Sequence, residues 1–432
     1  MIFNLGEEKV IVRGIRPEEQ LWGAYQFPRP YKVGNKIIVS VHVEQDTIKN
    51  FGNPQRWFES VDNGESWTEI SPLEASKCGL LLNNGDRIYF PSESGISLSE
   101  YVETPWYMRT PAYDMNAKAP DNTLPLPNGF TIWLDGTKIN AYLAERMPGE
   151  YSKKEWTMIR IPAGQDTQVV EKVPIEWKSL TRVVYFGDKY DKVLKPIFPR
   201  GNLKIGPDGA IWISAFSGEG HIDPETGEYS PYYSAELFRS DDNAKSFKQR
   251  SHMEYRADGA DFPYQSGGFS DSDFEFMADG SIIWIFRSAW AMSTGIEWAP
   301  MYISRSTDLG YTWSKPKKFS NVGVLPRLCS LDCGVTLVCY GRPGIFVRGC
   351  DDGRGLSWSE PLEIMTPKDR SHLANVVSKE PSFHDWDGGC NNPEIIPIGK
   401  NSALIFYSDF YYPDDSGVKR KTILCRKITV EK

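Results

Sequence analysis

The chain has 432 residues, of which 40% are hydrophobic, 13% aromatic and 25% charged, a composition typical of globular rather than disordered or fibrous proteins. Acidic residues outnumber Lys and Arg by 57 to 49. The formal net charge of −8 disfavours nucleic acid as a partner, because phosphate binding requires a basic surface. No apolar segment approaches the roughly 18 residues of a membrane-spanning helix.

The amino-terminal sequence MIFNLGEEKVIVRG has neither the basic start nor the apolar stretch of a secretory signal peptide. We therefore expect a cytoplasmic protein, or a secreted one whose signal peptide has been removed. The seven Cys form no CxxC pair, and the five His show no zinc-like spacing. We expect cysteines in the core or as free thiols, and neither a metal nor another cofactor.

Short β-rich segments interrupted by Gly, Asn and Asp follow one another along the whole chain. One pattern recurs, in which an apolar segment, a tight Asn/Asp-Gly-like turn and a second apolar segment predict a β-hairpin. The hairpins begin at Tyr31, Leu80, Pro125, Leu203, Phe276 and Pro397. Repetition at intervals of roughly 40–70 residues indicates a blade-like array rather than separate domains.

These repeats predict an all-β fold, a six-bladed β-propeller that occupies residues 1–432 as a single domain. The predicted blades begin near residues 27, 78, 200, 271, 326 and 391. Residues 8–13 are expected to form an outer strand that closes the last blade against the first. The segment 100–195 is too long for one blade, which leaves open an insertion or a seventh blade.

A second repeat has the form Ser-x-Asp-x-Gly-x-Ser/Thr-aromatic. Full copies at 60–67 and 306–313 are accompanied by a degenerate copy at 240–247 and by a copy at 350–358 with one extra residue. In each copy the Asp carboxylate can accept backbone N–H groups, and the aromatic ring can pack between sheets. The repeat resembles the Asp box (BNR repeat) of sialidase-type β-propellers, which joins the third and fourth strands of a blade and lies away from the active site.

The segment 271–287, DSDFEFMADGSIIWIFR, resembles a sialidase segment in which an acidic residue opens the fourth blade's inner strand and an arginine follows sixteen residues later. The resemblance implies that Asp271 assists the nucleophile or a water molecule and that Arg287 binds the substrate. In the next blade Arg342 precedes Asp352 by ten residues, a spacing at which sialidases place another substrate-binding arginine.

The third substrate-binding arginine of the family corresponds to Arg29 in FPRP, displaced by one position. Arg200 and Arg327, at the starts of other blades, are further candidates for this cluster. Guanidinium groups remain charged and bind carboxylates bidentately, so three of them on one carboxylate would fix the orientation of an anionic sugar.

The acid/base of a sialidase lies on a loop of the first blade, where this sequence offers Glu44 and Asp46, and we prefer Asp46. The family's tyrosine nucleophile opens the last blade's inner strand. Here that position falls on Cys390 or Asn391, and no Tyr is present. Glu394, in the same strand, could instead serve in a pair of carboxylates.

The resemblance implies an exo-acting glycoside hydrolase that removes a terminal acidic, sialic-acid-like sugar from a glycan or acidic oligosaccharide. Without the tyrosine, water attack is as compatible with the sequence as a covalent route. One alternative is a propeller lyase or hydrolase of uronate-containing polysaccharide, with His221 or a tyrosine at the rim of the propeller's central channel as base. Another is a non-catalytic carbohydrate-binding propeller. Tyr340 and Tyr407, at the ends of second strands, are expected to be structural.

Overall fold

The computed structural model describes residues 1–16, 19, 24–43, 55–72, 74, 78–90, 123–125, 131–133, 155–176, 197–199, 202–222, 229–254, 266–290, 300–341, 344–365 and 392–432. These residues form 27 β-strands and no α-helix, in agreement with the predicted all-β class. Within this part of the chain no helix is long and apolar enough to cross a membrane.

One four-stranded antiparallel sheet joins the two ends of the chain. Its strands are β1 (Ile2–Arg13), β25 (Glu394–Gly399), β26 (Ser402–Pro413) and β27 (Lys419–Glu431). Their order is β1-β27-β26-β25, so the amino-terminal strand lies on the outside of the sheet formed by the carboxyl-terminal ones. The register runs from Ile2 opposite Glu431 to Arg13 opposite Thr422. The predicted outer strand at 8–13 is therefore confirmed and extends further toward the amino terminus.

Two further four-stranded sheets have strictly sequential order. The strands of the first are β2 (Gln26–Val33), β3 (Lys36–His42), β4 (Gln55–Ser60) and β5 (Thr68–Ile70). The strands of the second are β21 (Val324–Ser330), β22 (Thr336–Gly341), β23 (Ile345–Cys350) and β24 (Leu362–Met365). Short up-and-down sheets of this kind are the units of a propeller-type fold.

A thirteen-stranded sheet contains three more antiparallel groups, connected by short parallel pairings. The first group comprises β6 (Leu80–Leu81), β7 (Arg87–Tyr89), β10 (Glu155–Ile161) and β11 (Val169–Glu176). The second comprises β12 (Ile197–Pro199), β13 (Lys204–Ile205), β14 (Ile211–Ile222), β15 (Tyr229–Ser240) and β16 (Phe247–Glu254). The third comprises β17 (Ser266–Phe276), β18 (Ile282–Trp290), β19 (Met301–Ser306) and β20 (Lys317–Ser320). A separate pair consists of β8 (Thr123–Pro125) and β9 (Thr131–Trp133).

All six predicted hairpins are present as antiparallel pairs. They are formed by β2–β3, β6–β7, β8–β9, β13–β14, β17–β18 and β25–β26. Gly85, Gly209 and Gly280 each adopt a positive φ in their turns, which glycine does without steric cost. The turn chemistry of the sequence therefore locates these hairpins correctly.

The four Ser/Cys-Asp repeats join β4 to β5, β15 to β16, β19 to β20 and β23 to β24; we call them the aspartate turns. In the turn at 306–313, Asp308 Oδ1 accepts the Ser306 hydroxyl at 2.8 Å and the Thr312 N–H at 2.9 Å. Ser306 Oγ in turn accepts the Gly310 N–H at 2.9 Å. Corresponding bonds occur at 60–67 and 240–247, and Cys350 replaces the serine in the fourth turn.

The aspartate turns lie at the same ends of the strands as the hairpins, because the chain reverses direction after each strand. Arg239 at the end of β15, directly before an aspartate turn, forms an ion pair with Asp208 in the β13–β14 hairpin, which reflects this proximity. The first strand of each group consequently begins at the opposite end. Between the sheets lies a core of large apolar side chains, among them Trp156, Trp212, Trp284 and Phe238, all almost fully buried.

Candidate functional site

Charged side chains are concentrated on strands near the start of several antiparallel groups, and one further arginine lies on the neighbouring strand β18. β17 contacts β21, β21 contacts β25, and β25 contacts β2. Asp271, Asp273 and Glu275 alternate along β17, so they share one face of that strand. The charge cluster consists of Arg29 on β2, Lys204 on β13, these three acids on β17, Arg287 on β18, Arg327 on β21 and Glu394 on β25.

At its more exposed end the cluster contains two residues that the sequence predicts to act together. Arg287 Nη1 donates to Asp271 Oδ2 at 2.9 Å. The side chains retain 20% and 12% of their exposure, so both groups reach the boundary with solvent. The sixteen-residue spacing places them as neighbours because β17 and β18 form one hairpin with bulges near Asp271.

Beside this pair lies a second one, Arg327 and Glu394, from two separate sheets. Arg327 Nε donates to Glu394 Oε1 at 2.8 Å, and the side chains are only 5% and 11% exposed. Burial raises the pKa of Glu394, and the guanidinium of Arg327 opposes that rise. Burial disfavours the charge of Arg327, but Glu394, Asp273 and Asp271 together raise its pKa. Arg327 therefore lies among three carboxylates.

Arg29 belongs to the same cluster. Its guanidinium lies close enough to Glu394 to lower the pKa of that carboxyl. Tyr31, two residues further along β2, is affected by the charges of both Arg29 and Glu394. Burial nevertheless raises the pKa of Tyr31 far above its ordinary value, so its phenol is not an activated nucleophile.

Further along β17, toward its hairpin, Lys204 Nζ donates to Glu275 Oε2 at 2.8 Å and lies 3.8 Å from Asp273 Oδ2. Burial lowers the pKa of Lys204, but Asp273 and Glu275 outweigh it and the pKa is raised. Burial also raises the pKa of Glu275. Sequence reasoning missed Lys204, Asp273 and Glu275. A signal for the two acids was present in DSDFEF, where carboxylates recur at every second position of an otherwise apolar strand.

Several sequence-predicted residues lie outside the described residues. Asp46 and Arg342 belong to this group, so their catalytic and substrate-binding roles stay predictions. The same holds for the other candidates Glu44, Arg200, Cys390 and Asn391. For His221 the structure describes the backbone alone, which pairs in β14 opposite Ser230.

Tyr340 and Tyr407 have the structural roles expected for them. Tyr407 is buried and donates its hydroxyl to Glu8 Oε1 at 2.6 Å, which ties β26 to the outer strand β1. Tyr340 stacks on Phe346 with ring centroids 5.6 Å apart. Both rings belong to apolar clusters between sheets and contribute to packing.

We call the end of the cluster at which Arg287 and Asp271 reach the boundary with solvent the solvent end. It brings this pair together with Arg29 and with the buried pair Arg327 and Glu394. Fixed guanidinium groups can hold an anionic or polyhydroxylated ligand, and paired carboxylates can perform general acid/base or nucleophilic catalysis. In the described part of the chain, no three His, Cys, Asp or Glu side chains are grouped so that they could hold a metal ion.

No protein-family model matches the chain, and no curated protein matches it. A solved structure of an unknown-function protein from Dyadobacter fermentans is similar, with a TM-score of 0.56, 14% identity and 99% coverage of both chains. At this identity the likeness shows a shared fold.

Weaker likenesses include a Hadza microbial sialidase, with a TM-score of 0.46 and 12% identity over 93% of this chain and 65% of that one. Another is an α-L-arabinofuranosidase from Fusarium graminearum in complex with an iminosugar inhibitor, with a TM-score of 0.46 and 11% identity. It covers 97% of this chain and 98% of that one.

Proposed function

We propose that this protein is an exo-acting glycoside hydrolase that removes a terminal acidic, sialic-acid-like sugar from a glycan. The observation that carries the proposal is the solvent end of the charge cluster, where Asp271 and Glu394 lie among the guanidinium groups of Arg29, Arg287 and Arg327. The six antiparallel groups are then the six blades of a sialidase-like propeller, and the aspartate turns are its Asp boxes.

In this proposal Arg287, Arg342 and Arg29 bind the carboxylate of the sugar. A guanidinium is suited to this task because its planar fork of donors matches the two oxygens of a carboxylate. The ion pair between Arg287 and Asp271 holds the guanidinium in place before substrate arrives, which reduces the entropy lost on binding.

Two carboxylates divide the chemical steps. Asp46 acts as acid/base on the leaving-group oxygen, and Asp271 assists the nucleophile or a water molecule. Since burial raises the pKa of Tyr31, that residue does not replace the tyrosine missing from the last blade. The proposal therefore includes direct attack by water, in which one carboxylate withdraws the proton while the other protonates the leaving group.

The test is hydrolysis of a fluorogenic sialoside by the wild type, by Arg287→Ala and by the control Arg305→Ala. Arg305 lies in β19, directly before the aspartate turn at 306–313, and pairs with Asp279 in the β17–β18 hairpin, at the opposite end of the strands. Loss of one charge-assisted contact should lower kcat/KM about 10- to 100-fold in Arg287→Ala and leave the control unchanged. An inactive wild type would contradict the proposal, as would equal activity of the two variants.

A carbohydrate-binding propeller without turnover is the second candidate. It is favoured by the ion pairs that already engage Asp271 and Glu394 with Arg287 and Arg327, because a carboxylate oxygen that accepts a guanidinium N–H is less available to accept a proton from water or substrate. Calorimetric binding of sialyl-lactose without release of free sugar would support this candidate over the hydrolase.

A further inference from the structure

The first strand of a four-stranded sheet has a free edge that faces the neighbouring sheets. β21 is such a strand, since among the described residues its only partner in the sheet is β22. The backbone groups on this edge need partners from elsewhere when they are buried. At Leu328 both groups find them. The Leu328 N–H donates to Asp273 Oδ2 at 2.9 Å, and the Leu328 carbonyl accepts from Lys204 Nζ at 2.9 Å.

These contacts bring together three strands that share no backbone ladder at this point. Asp273 comes from β17, Lys204 from β13 and Leu328 from β21. Asp273 is fully buried and Lys204 nearly so, and their charged groups lie 3.8 Å apart. Asn202 contributes a longer bond to Asp273 Oδ2, at 3.4 Å. We call Lys204, Asp273 and the backbone N–H and carbonyl of Leu328 the backbone clamp.

The residue directly before Leu328 in β21 is Arg327. Its Nε–H has to point at Glu394, which belongs to a different sheet. A strand edge without a ladder would allow the backbone at this point to shift, and a long side chain amplifies such a shift at its tip. Two charge-assisted bonds at the next residue, one to its N–H and one to its carbonyl, remove that freedom.

We propose that Lys204 and Asp273 are positioning residues, which hold the β21 backbone so that Arg327 stays on Glu394 at the solvent end of the charge cluster. The consequence for catalysis rests on the proposed function, whereas the consequence for Arg327 does not. Removal of the clamp should therefore first release the Arg327 side chain, and reduce turnover only as a result.

The electrostatics agree with this assignment. Asp273 raises the pKa of Arg327, and it also raises the pKa of Lys204. The carboxylate of Asp273 thus stabilises both cations between which it lies. Its Oδ1 atom is buried without a hydrogen-bond partner among the described residues, so charge rather than a complete set of hydrogen bonds compensates its burial.

The experiment follows the Arg327 Nε–H signal by NMR in protein labelled with ¹⁵N-arginine, the signal being assigned through its absence in Arg327→Lys. In Asp273→Asn the shape of the side chain is kept and the charge is lost. We expect hydrogen exchange at Arg327 Nε to become about tenfold faster, equivalent to the loss of one buried polar contact. The value of kcat/KM for the fluorogenic sialoside should fall by a similar factor.

The matched control is Asp86→Asn. Asp86 also accepts a backbone N–H, from Ala163 at 3.0 Å, and a guanidinium N–H, from Arg160 at 3.0 Å, but it belongs to the hairpin of a different antiparallel group, β6–β7. This variant should leave the Arg327 signal and kcat/KM unchanged. If the role of Asp273 were merely structural, both variants would lose stability and neither would show selectively faster hydrogen exchange at Arg327 Nε.

Unchanged exchange at Arg327 in Asp273→Asn would overturn the proposal, whether or not the protein hydrolyses the sialoside. Faster exchange in a wild type that lacks turnover would support the clamp while the proposed hydrolase function fails. If Asp273→Asn does not fold, Lys204→Gln replaces it, because glutamine keeps a donor for the Leu328 carbonyl and loses only the charge. Faster hydrogen exchange at Arg327 Nε in Lys204→Gln would then support the proposal, and unchanged exchange would overturn it.

Discussion

The ion pair between Arg327 and Glu394 provides a quantitative test of how the charge cluster is stabilised. Arg327→Met keeps most of the side-chain volume and removes the guanidinium, so the cavity term stays small. Since the two side chains are 5% and 11% exposed, the variant leaves a carboxylate buried without its partner. Breaking a buried pair in this way should lower the free energy of unfolding by about 3–5 kcal/mol at neutral pH.

The loss should depend on pH with a defined sign. Burial already raises the pKa of Glu394 above its ordinary value of 4.5, and removal of the guanidinium raises it further. A carboxyl whose pKa is higher in the folded than in the unfolded state stabilises the folded state as the pH falls. The deficit of Arg327→Met should therefore shrink when urea denaturation is measured at about pH 5 instead of about pH 7.5.

The control for this prediction is Arg56→Met. Arg56 pairs with Glu69 at 2.6 Å, but the side chains are 34% and 50% exposed, and an exposed pair contributes only about 0.2–1 kcal/mol. The prediction would be refuted if Arg327→Met lowered the free energy of unfolding by no more than Arg56→Met does. It would equally be refuted if the loss of unfolding free energy in Arg327→Met were the same at about pH 5 and about pH 7.5.

Three further predictions concern the aspartate turns and can be checked by urea or thermal denaturation. Asp242 accepts the Ser246 N–H and hydroxyl, at 3.0 and 2.5 Å, so Asp242→Ala should lower the free energy of unfolding by about 1–3 kcal/mol. An unchanged denaturation midpoint would contradict this. Gly355 has φ +74°, and a Cβ there would lie 2.3 Å from Ile283 Cγ2. Gly355→Ala should therefore lower the free energy of unfolding by about 1–3 kcal/mol. The loss should exceed that of a Gly→Ala substitution at a positive-φ glycine whose added Cβ would meet no atom within 4 Å. The hydroxyl and N–H of Ser66 lower the pKa of Asp62 to about 2, so its stabilising effect should be lost as the pH falls from about 4 to 2. Asp62→Asn should flatten the pH dependence of the melting temperature in that range.

The sequence predicts those parts of the fold that depend on local chemistry. A hairpin is specified by its own turn, as in GPDG near Asp208 or ADG before Ser281, and an aspartate turn by the few residues whose side chains and N–H groups meet within it. The outer strand at 8–13 was predictable because a closed propeller needs a last strand. Each of these features appears in the structure.

The charge cluster could be predicted only in part. Asp271 and Arg287 meet because they flank one hairpin, so their spacing in the sequence determines their distance. Arg327 and Glu394 are 67 positions apart and lie on strands without a common ladder. Their contact depends on how the sheets are arranged around the cluster, which no local pattern encodes. For Asp273 the alternation of acids in DSDFEF indicates a shared strand face, but the sequence does not indicate which residues this carboxylate contacts.

The buried ion pair of Arg327 and Glu394 raises the question of whether the fold or the function requires charged residues on these strands. Ion pairs buried in this way contribute little net stability, and well-packed apolar side chains of similar volume are often as stable or more so. The double variant Arg327→Met, Glu394→Leu tests this directly, because no charge of the pair is left without its partner. We expect it to recover most of the stability that Arg327→Met alone loses, and to abolish turnover of the sialoside. A stable, inactive double variant would show that the fold does not require the pair and that the function does. A double variant as unstable as the single one would instead show that Arg327 is held in place for the sake of the fold, through Asp273 and Asp271 as much as through Glu394.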